Sequence, residues 1–324
     1  MAILGARGWE CGNTMLSAVD YNPNVVASVD TKKTGAYSLR LNVTAWARWA
    51  VDGAPANPSV SLWIYQNDSY GTSNDTYIRW LLSTGEYIEL RWNATTHTFD
   101  AYVDGVLTKA GTVTVAMNDW FHVQFYIVIA DAGNIGVKID GHQSIDWPCD
   151  TQPGAAAGAS YLYVTKMVNA NTIYIDDLVW GSGGYLGDLR CVDIRPTADT
   201  AQDDWTPSAG DNFETIDETP PSDTDYNETN TNAQADELAL GDFDGVTYTP
   251  VAVTAWARAE MLAATGDSLK VGIVSNAVEV TTTSALSTSW EYYFHTEDEN
   301  PDGPVAWDDA AIDALLFRYE SVIP

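Results

Sequence analysis

Apolar and polar positions alternate through most of this chain, with turn residues every few steps. The pattern is clearest over residues 119–141. Residues 120–129 are rich in aromatic and β-branched side chains, which suit a pleated, half-buried surface. Asp131, Gly133 and Asn134 supply turn chemistry. Ile135, Val137 and Ile139 then alternate with small or polar residues, which gives a second strand one apolar face. Asp140 and Gly141 form a turn dipeptide that tolerates positive φ. A hairpin this apolar is not stable alone in water and needs a second sheet to cover it. A β-sandwich is therefore predicted.

The same reading places strands at 25–29, 37–42, 43–51, 60–66, 77–83, 87–92, 98–103, 113–115, 161–166 and 171–180. Downstream they fall at 189–194, 238–243, 251–262, 268–275, 278–283 and 290–296. Short strands at regular spacing mark a sandwich or barrel rather than alternating βα units. Residues 181–184 read as a linker. Residues 197–237 are dominated by Asp, Thr, Asn, Ser and Pro, with Trp205, Phe213, Ile216 and Tyr226 as apolar anchors. They predict a segment draped over a folded surface. Residues 307–319 have helix character: Asp308 can cap, and Ala311, Ile312, Leu315 and Leu316 share one face. The expectation is all-β, with a concanavalin/laminin-G-like jelly roll over 1–187 and a smaller acidic β domain over 188–324 that ends in a short helix.

Charge sharpens that division. Residues 1–190 hold 18 acids and 11 Lys and Arg, a net −7; residues 191–324 hold 27 and 4, a net −23. A total of −30 repels phosphate backbones and anionic lipid, so neither nucleic acid nor membrane is an expected partner. The three cysteines, Cys11, Cys149 and Cys191, have no metal-ligand spacing, and free thiols are expected. Residues 1–8 lack a basic start followed by a long apolar run, so no secretion signal is expected.

Candidate chemistry is sparse. Glu86 and Glu89 are three apart, which points them to opposite faces of a strand and argues against a glycosidase carboxylate pair. His122 is expected to be a packed residue. No cofactor is expected, with calcium the one ion to weigh. Its candidate oxygens are Asp176, Asp177, Asp242 and Asp244, although the distal Glu of a helix–loop–helix calcium loop is missing. Tyr65, Tyr70, Tyr77 and Trp80 surround a polar loop and form the candidate glycan platform. One short repeat stands out: Val-Thr-Ala-Trp-Ala-Arg occurs at 43–48 and again at 253–258.

Several stretches resemble a class of tailed-bacteriophage virion proteins that join a concanavalin/laminin-G-like jelly roll to a smaller β domain. They are 34–41, the hairpin over 120–141, the closing strand at 173–180, Gly187-Asp188-Leu189-Arg190, Trp205-Thr206-Pro207-Ser208, Asp223-Thr224-Asp225-Tyr226 and Ala306-Trp307. The resemblance implies a non-enzymatic structural protein on the particle surface, as a capsid decoration or tail subunit. It implies assembly in the host cytoplasm, other virion proteins as partners, and a homo-oligomer. Residues 1–4 and the draped segment are the expected inter-subunit contacts. A module that binds host-surface carbohydrate is the alternative reading, and a carbohydrate-active enzyme the second.

Overall fold

The computed structural model describes all residues except 1, 8–19, 23, 43, 52, 68–74, 167–171, 219–220, 244–248, 264 and 304. Contacts divide the chain into two units, Met1–Val192 and Asp193–Pro324. Both are built from antiparallel sheets.

The first unit is a sandwich. Its eight-stranded sheet runs His142–Cys149, Gly133–Ile139, Trp120–Val128, Pro58–Gln66, Ile173–Ser182, Ser38–Leu41 and Val25–Ser28, with Ala2–Arg7 also paired to Ile173–Ser182. The seven-stranded sheet runs Val106–Lys109, Thr98–Val103, Tyr87–Asn93, Asp75–Leu82, Ala159–Lys166, Ala45–Ala50 and Asp20–Tyr21. Leu62, Ile64, Val123, Phe125, Ile127, Ile135, Val137 and Ile139 from the first sheet are all sealed from solvent. So are Ile78, Trp80, Ile88, Leu90, Phe99, Leu162 and Val164 from the second. Two apolar faces closing on one another is how a sheet pair removes such surface from water. The hairpin over 120–141 forms as its pattern predicts, and Asp140 and Gly141 take φ of 48° and 77° in the turn from its second strand to His142–Cys149.

Two strand expectations need correction. Residues 113–115 are not a strand. Residues 189–194 are irregular, because their polar groups are used individually, as when the Cys191 amide donates to Asp177. The N-terminal residues 2–7 form a strand of the large sheet, with Ile3 buried.

The second unit has a five-stranded sheet in the order Pro196–Asp203, Ala235–Leu240, Leu316–Val322, Ser268–Ser275 and Val278–Ala285. Val253–Ala259 pairs with Glu291–Glu297 as a separate two-stranded sheet. Leu238, Ala255, Val271, Ile273, Tyr293, Trp307 and Phe317 form its core. The acidic stretch after residue 196 is only partly draped: its two ends are paired strands, pinned through buried Asp236. That carboxylate accepts from the amides of Asp204 and Trp205, the Asn212 side chain and the Tyr319 hydroxyl. The predicted terminal helix shrinks to Asp309–Asp313, with the Asp308 side chain capping the Ala311 amide at 2.8 Å. Residues 316–322 become a central strand, because pairing on both sides outweighs a weak local helical preference.

Candidate functional site: a cation and tyrosine face

The outer face of the seven-stranded sheet follows from strand parity. Along Asp75–Leu82, Ile78, Trp80 and Leu82 point into the sandwich, leaving Arg79 and Leu81 outside. A bulge between Thr76 and Ile78 inserts one extra residue. Thr76 consequently lies opposite Arg91 on the outer face, and the extra ring of Tyr77 turns inward against Trp92 and Phe99. On Tyr87–Asn93, Ile88 and Leu90 are core, so Tyr87, Glu89 and Arg91 are outside. On Ala159–Lys166, Leu162 and Val164 are core and Tyr161 and Tyr163 are outside. On Ala45–Ala50 the alanines at 45 and 47 are core, with Trp46 and Arg48 outside.

Register aligns these side chains into one row. Arg48 lies opposite Tyr163, Tyr163 opposite Arg79, Arg79 opposite Glu89, and Glu89 opposite Tyr102. Five adjacent strands at ~4.8 Å spacing make this row roughly 19 Å long. Glu89 has no exposed surface, whereas the Arg79 and Arg91 side chains keep 24% and 26% of theirs. Arg79 Nε and Nη2 donate to Glu89 Oε2 at 3.1 and 2.9 Å, and Thr76 Oγ1 donates to the same oxygen at 3.2 Å. Arg91 Nε donates to Oε1 at 2.6 Å.

Rings back the cations. The Arg79 guanidinium lies 4.4 Å from the Tyr87 centroid and that of Arg91 lies 4.0 Å from Tyr102. Arg48 lies 4.9 Å from Tyr161 and donates to the Tyr163 hydroxyl at 3.0 Å. Cation–π contact and planar forks fix these guanidiniums in place. Two of them share the single carboxylate of Glu89, so that cluster keeps a net positive charge inside a strongly acidic protein.

Among the described side chains a second carboxylate of this face, Asp100, takes the Gly111 amide and Thr98 Oγ1 on Oδ1 and Asn93 Nδ2 on Oδ2. Both acids thus have their oxygens occupied by donors. The face presents donors and ring surfaces. Glu86, the other acid of the predicted pair, sits in the turn before Tyr87, and a bond from Thr84 holds its carboxyl below the usual range.

The predicted platform is placed differently. Tyr77 and Trp80 are 1% and 0% exposed and cannot offer a ring to a ligand. Tyr65 is half-buried on the outer face of the other sheet, against Trp120 and Tyr174 at 5.7 and 5.9 Å. Tyr70 lies outside the described residues. His122 is packed as expected: it stacks on Trp63 and shares a 2.7 Å hydrogen bond with Ser61 Oγ.

Two of the calcium candidates hold loops. Asp176 accepts the amides of Lys33, Thr34 and Asp177, and Asp177 accepts Thr34 Oγ1 and the Cys191 amide, so these acids pin loops. Asp242 is exposed, and Asp244 lies outside the described residues. Among the described residues no group of three His, Cys, Asp or Glu is placed to hold a metal ion. Cys149 and Cys191 are free, and Cys11 lies outside the described residues.

Sequence reasoning overlooked the arginine row. Its signal was available: Arg48, Arg79 and Arg91 occupy strand positions flanked on both sides by apolar residues, in a chain with only 15 Lys and Arg.

No family model matches the chain, and no curated protein does. Among solved structures it is similar to the cellulose-induced protein Cip1 (14% identity, 58% of this chain and 100% of the other, TM-score 0.45). It is similar to an endo-β-1,4-glucuronan lyase from the fungus Trichoderma reesei (9% identity, 56% and 96%, TM-score 0.46). It is also similar to a conserved carbohydrate esterase from Shiga toxin-encoding bacteriophage phi24B (14% identity, 56% and 99%, TM-score 0.43). The expectation of a non-enzymatic chain is corrected by these matches, which include lyases and an esterase, and is dropped. The esterase comes from a phage, which by itself says nothing of a capsid or tail position. At these identities and TM-scores, function has to be argued from this chain's own residues.

Proposed function

We propose that the first unit recognises carbohydrate, and that an acidic polysaccharide lies along the outer face of its seven-stranded sheet. The observation that carries this reading is the row Arg48, Tyr163, Arg79, Glu89 and Tyr102, with Arg79 and Arg91 sharing one carboxylate. A uronate carboxylate matches the planar fork of a guanidinium, and tyrosine rings offer flat apolar faces with hydroxyl tips. A row of cations and rings across five strands suits an extended polymer better than a compact ligand.

Titration calorimetry with alginate and polygalacturonate oligosaccharides tests this. A charge-assisted hydrogen bond contributes about 1.5–3 kcal/mol, so Arg79→Ala or Arg91→Ala weakens binding by about tenfold or more. Added salt weakens wild-type binding in the same direction. Undiminished affinity in both variants, or no binding by the wild type, overturns the proposal.

A further inference from the structure

The repeated hexapeptide builds the same constellation in both units. Residues 43–48 and 253–258 share Val-Thr-Ala-Trp-Ala-Arg, and residues 45–48 and 253–258 lie in strands. Ala45 and Ala47 face one core; Ala255 lies in the other, with Ala257 packed against it. Trp46 and Arg48, like Trp256 and Arg258, point the opposite way. Arg48 is opposite Tyr163 and Arg258 is opposite Tyr292, each on an antiparallel neighbour. A second ring stands two residues earlier on each neighbour, Tyr161 and Trp290.

Distances match as well. Arg48 lies 4.9 and 5.8 Å from the Tyr161 and Tyr163 centroids; Arg258 lies 5.2 and 5.7 Å from Trp290 and Tyr292. The tryptophan-to-tyrosine separations are 6.2 Å for Trp46 with Tyr163 and 5.6 Å for Trp256 with Tyr292.

We propose that the outer face of the pair Val253–Ala259 and Glu291–Glu297 is a second sugar-binding platform, which takes an uncharged sugar ring. This rests on the carbohydrate reading of the first face, because the chemistry is carried over from it.

Two differences decide the ligand class. Arg258 is paired with Asp223, and the second unit holds 27 acids against four Lys and Arg, so a uronate is repelled. Opposite Trp256 stands Phe294, where the first copy has Thr165 opposite Trp46. The second face is therefore richer in rings and poorer in net positive charge. Trp256, Phe294 and Trp290 are half-buried and keep some surface for a ligand, whereas Tyr292 is buried and backs Arg258.

A glycan array probed with the full labelled chain tests the idea, using neutral β-glucan and mannan oligosaccharides beside uronate oligosaccharides. Trp256→Ala and Arg258→Gln are expected to lose neutral-sugar signal by about tenfold or more and to keep uronate signal. Arg79→Ala does the reverse. Thermal melts confirm that each variant is folded. Neutral signal sensitive to Trp256→Ala, with no uronate signal anywhere, overturns the first face and supports the second. Absence of neutral signal in the wild type, or neutral signal unchanged in both folded variants of the second face, overturns this proposal.

Discussion

The Tyr319 hydroxyl donates to Asp236 Oδ2 at 2.5 Å, with both side chains buried inside the second unit. Asp236 holds together residues far apart in sequence, since it also accepts from Asn212, Asp204 and Trp205. Burial and the Asp236 charge push the Tyr319 hydroxyl well above its ordinary range, so it remains a donor. Tyr319→Phe removes one donor from a buried carboxylate and costs about 1–3 kcal/mol. Urea unfolding followed by fluorescence reads this. An unchanged midpoint would show that the carboxylate does not depend on Tyr319.

Asp176 gives a pH dependence with a definite sign. Burial, and then the neighbouring charge of Asp177, push its carboxyl from 3.8 up to about 8 despite three amide donors. The folded protein thus holds a proton that the unfolded chain releases near pH 4. The linkage makes stability full below pH 4 and falling as pH rises from about 4 to 8. Asp176→Asn removes the titrating proton, and the slope of melting temperature over that range flattens. A slope equal to the wild type's assigns the effect to other groups.

Much of the fold was legible in strand alternation, and the hairpin over 120–141 is the clearest case. The candidate site was less so, for reasons of register. Reading Tyr77 as a loop-flanking surface ring assumes unbroken alternation, but the bulge after Thr76 turns it inward. Trp80 is apolar, bulky and flanked by Arg79, so its composition fits either face; only its parity with Ile78 and Leu82 assigns it to the core. The row from Arg48 to Tyr102 brings together residues up to 115 apart in sequence, Arg48 and Tyr163, and no local pattern specifies which strands become neighbours. The terminal helix over 307–319 was read too long for the same reason: Leu315 and Leu316 extend the helical stripe of Ala311 and Ile312, yet residues 316–322 pair as a strand once their neighbours are in place.

That relocation of the aromatic platform can be measured. Trp80→Ala empties the centre of the first sandwich and costs about 3–5 kcal/mol. Tyr65→Ala lies on the face away from the arginine row, and uronate affinity is expected to match the wild type. Loss of affinity in a folded Tyr65→Ala variant would return the binding face to the eight-stranded sheet.

Lys166 and Asp75 form the other electrostatic commitment of the first unit. Lys166 Nζ donates to Asp75 Oδ2 at 2.7 Å, and both side chains are 1% exposed. At such burial the desolvation of two ions largely cancels their attraction, so the pair as a whole adds little. Breaking it is different, because the surviving charge stays buried without that partner. Lys166→Met is expected to cost about 3–5 kcal/mol, and the double variant Asp75→Leu with Lys166→Met to recover most of that loss. A double-mutant cycle by urea unfolding measures the coupling directly. Additive losses in the double variant would mean that other groups nearby already satisfy the two charges.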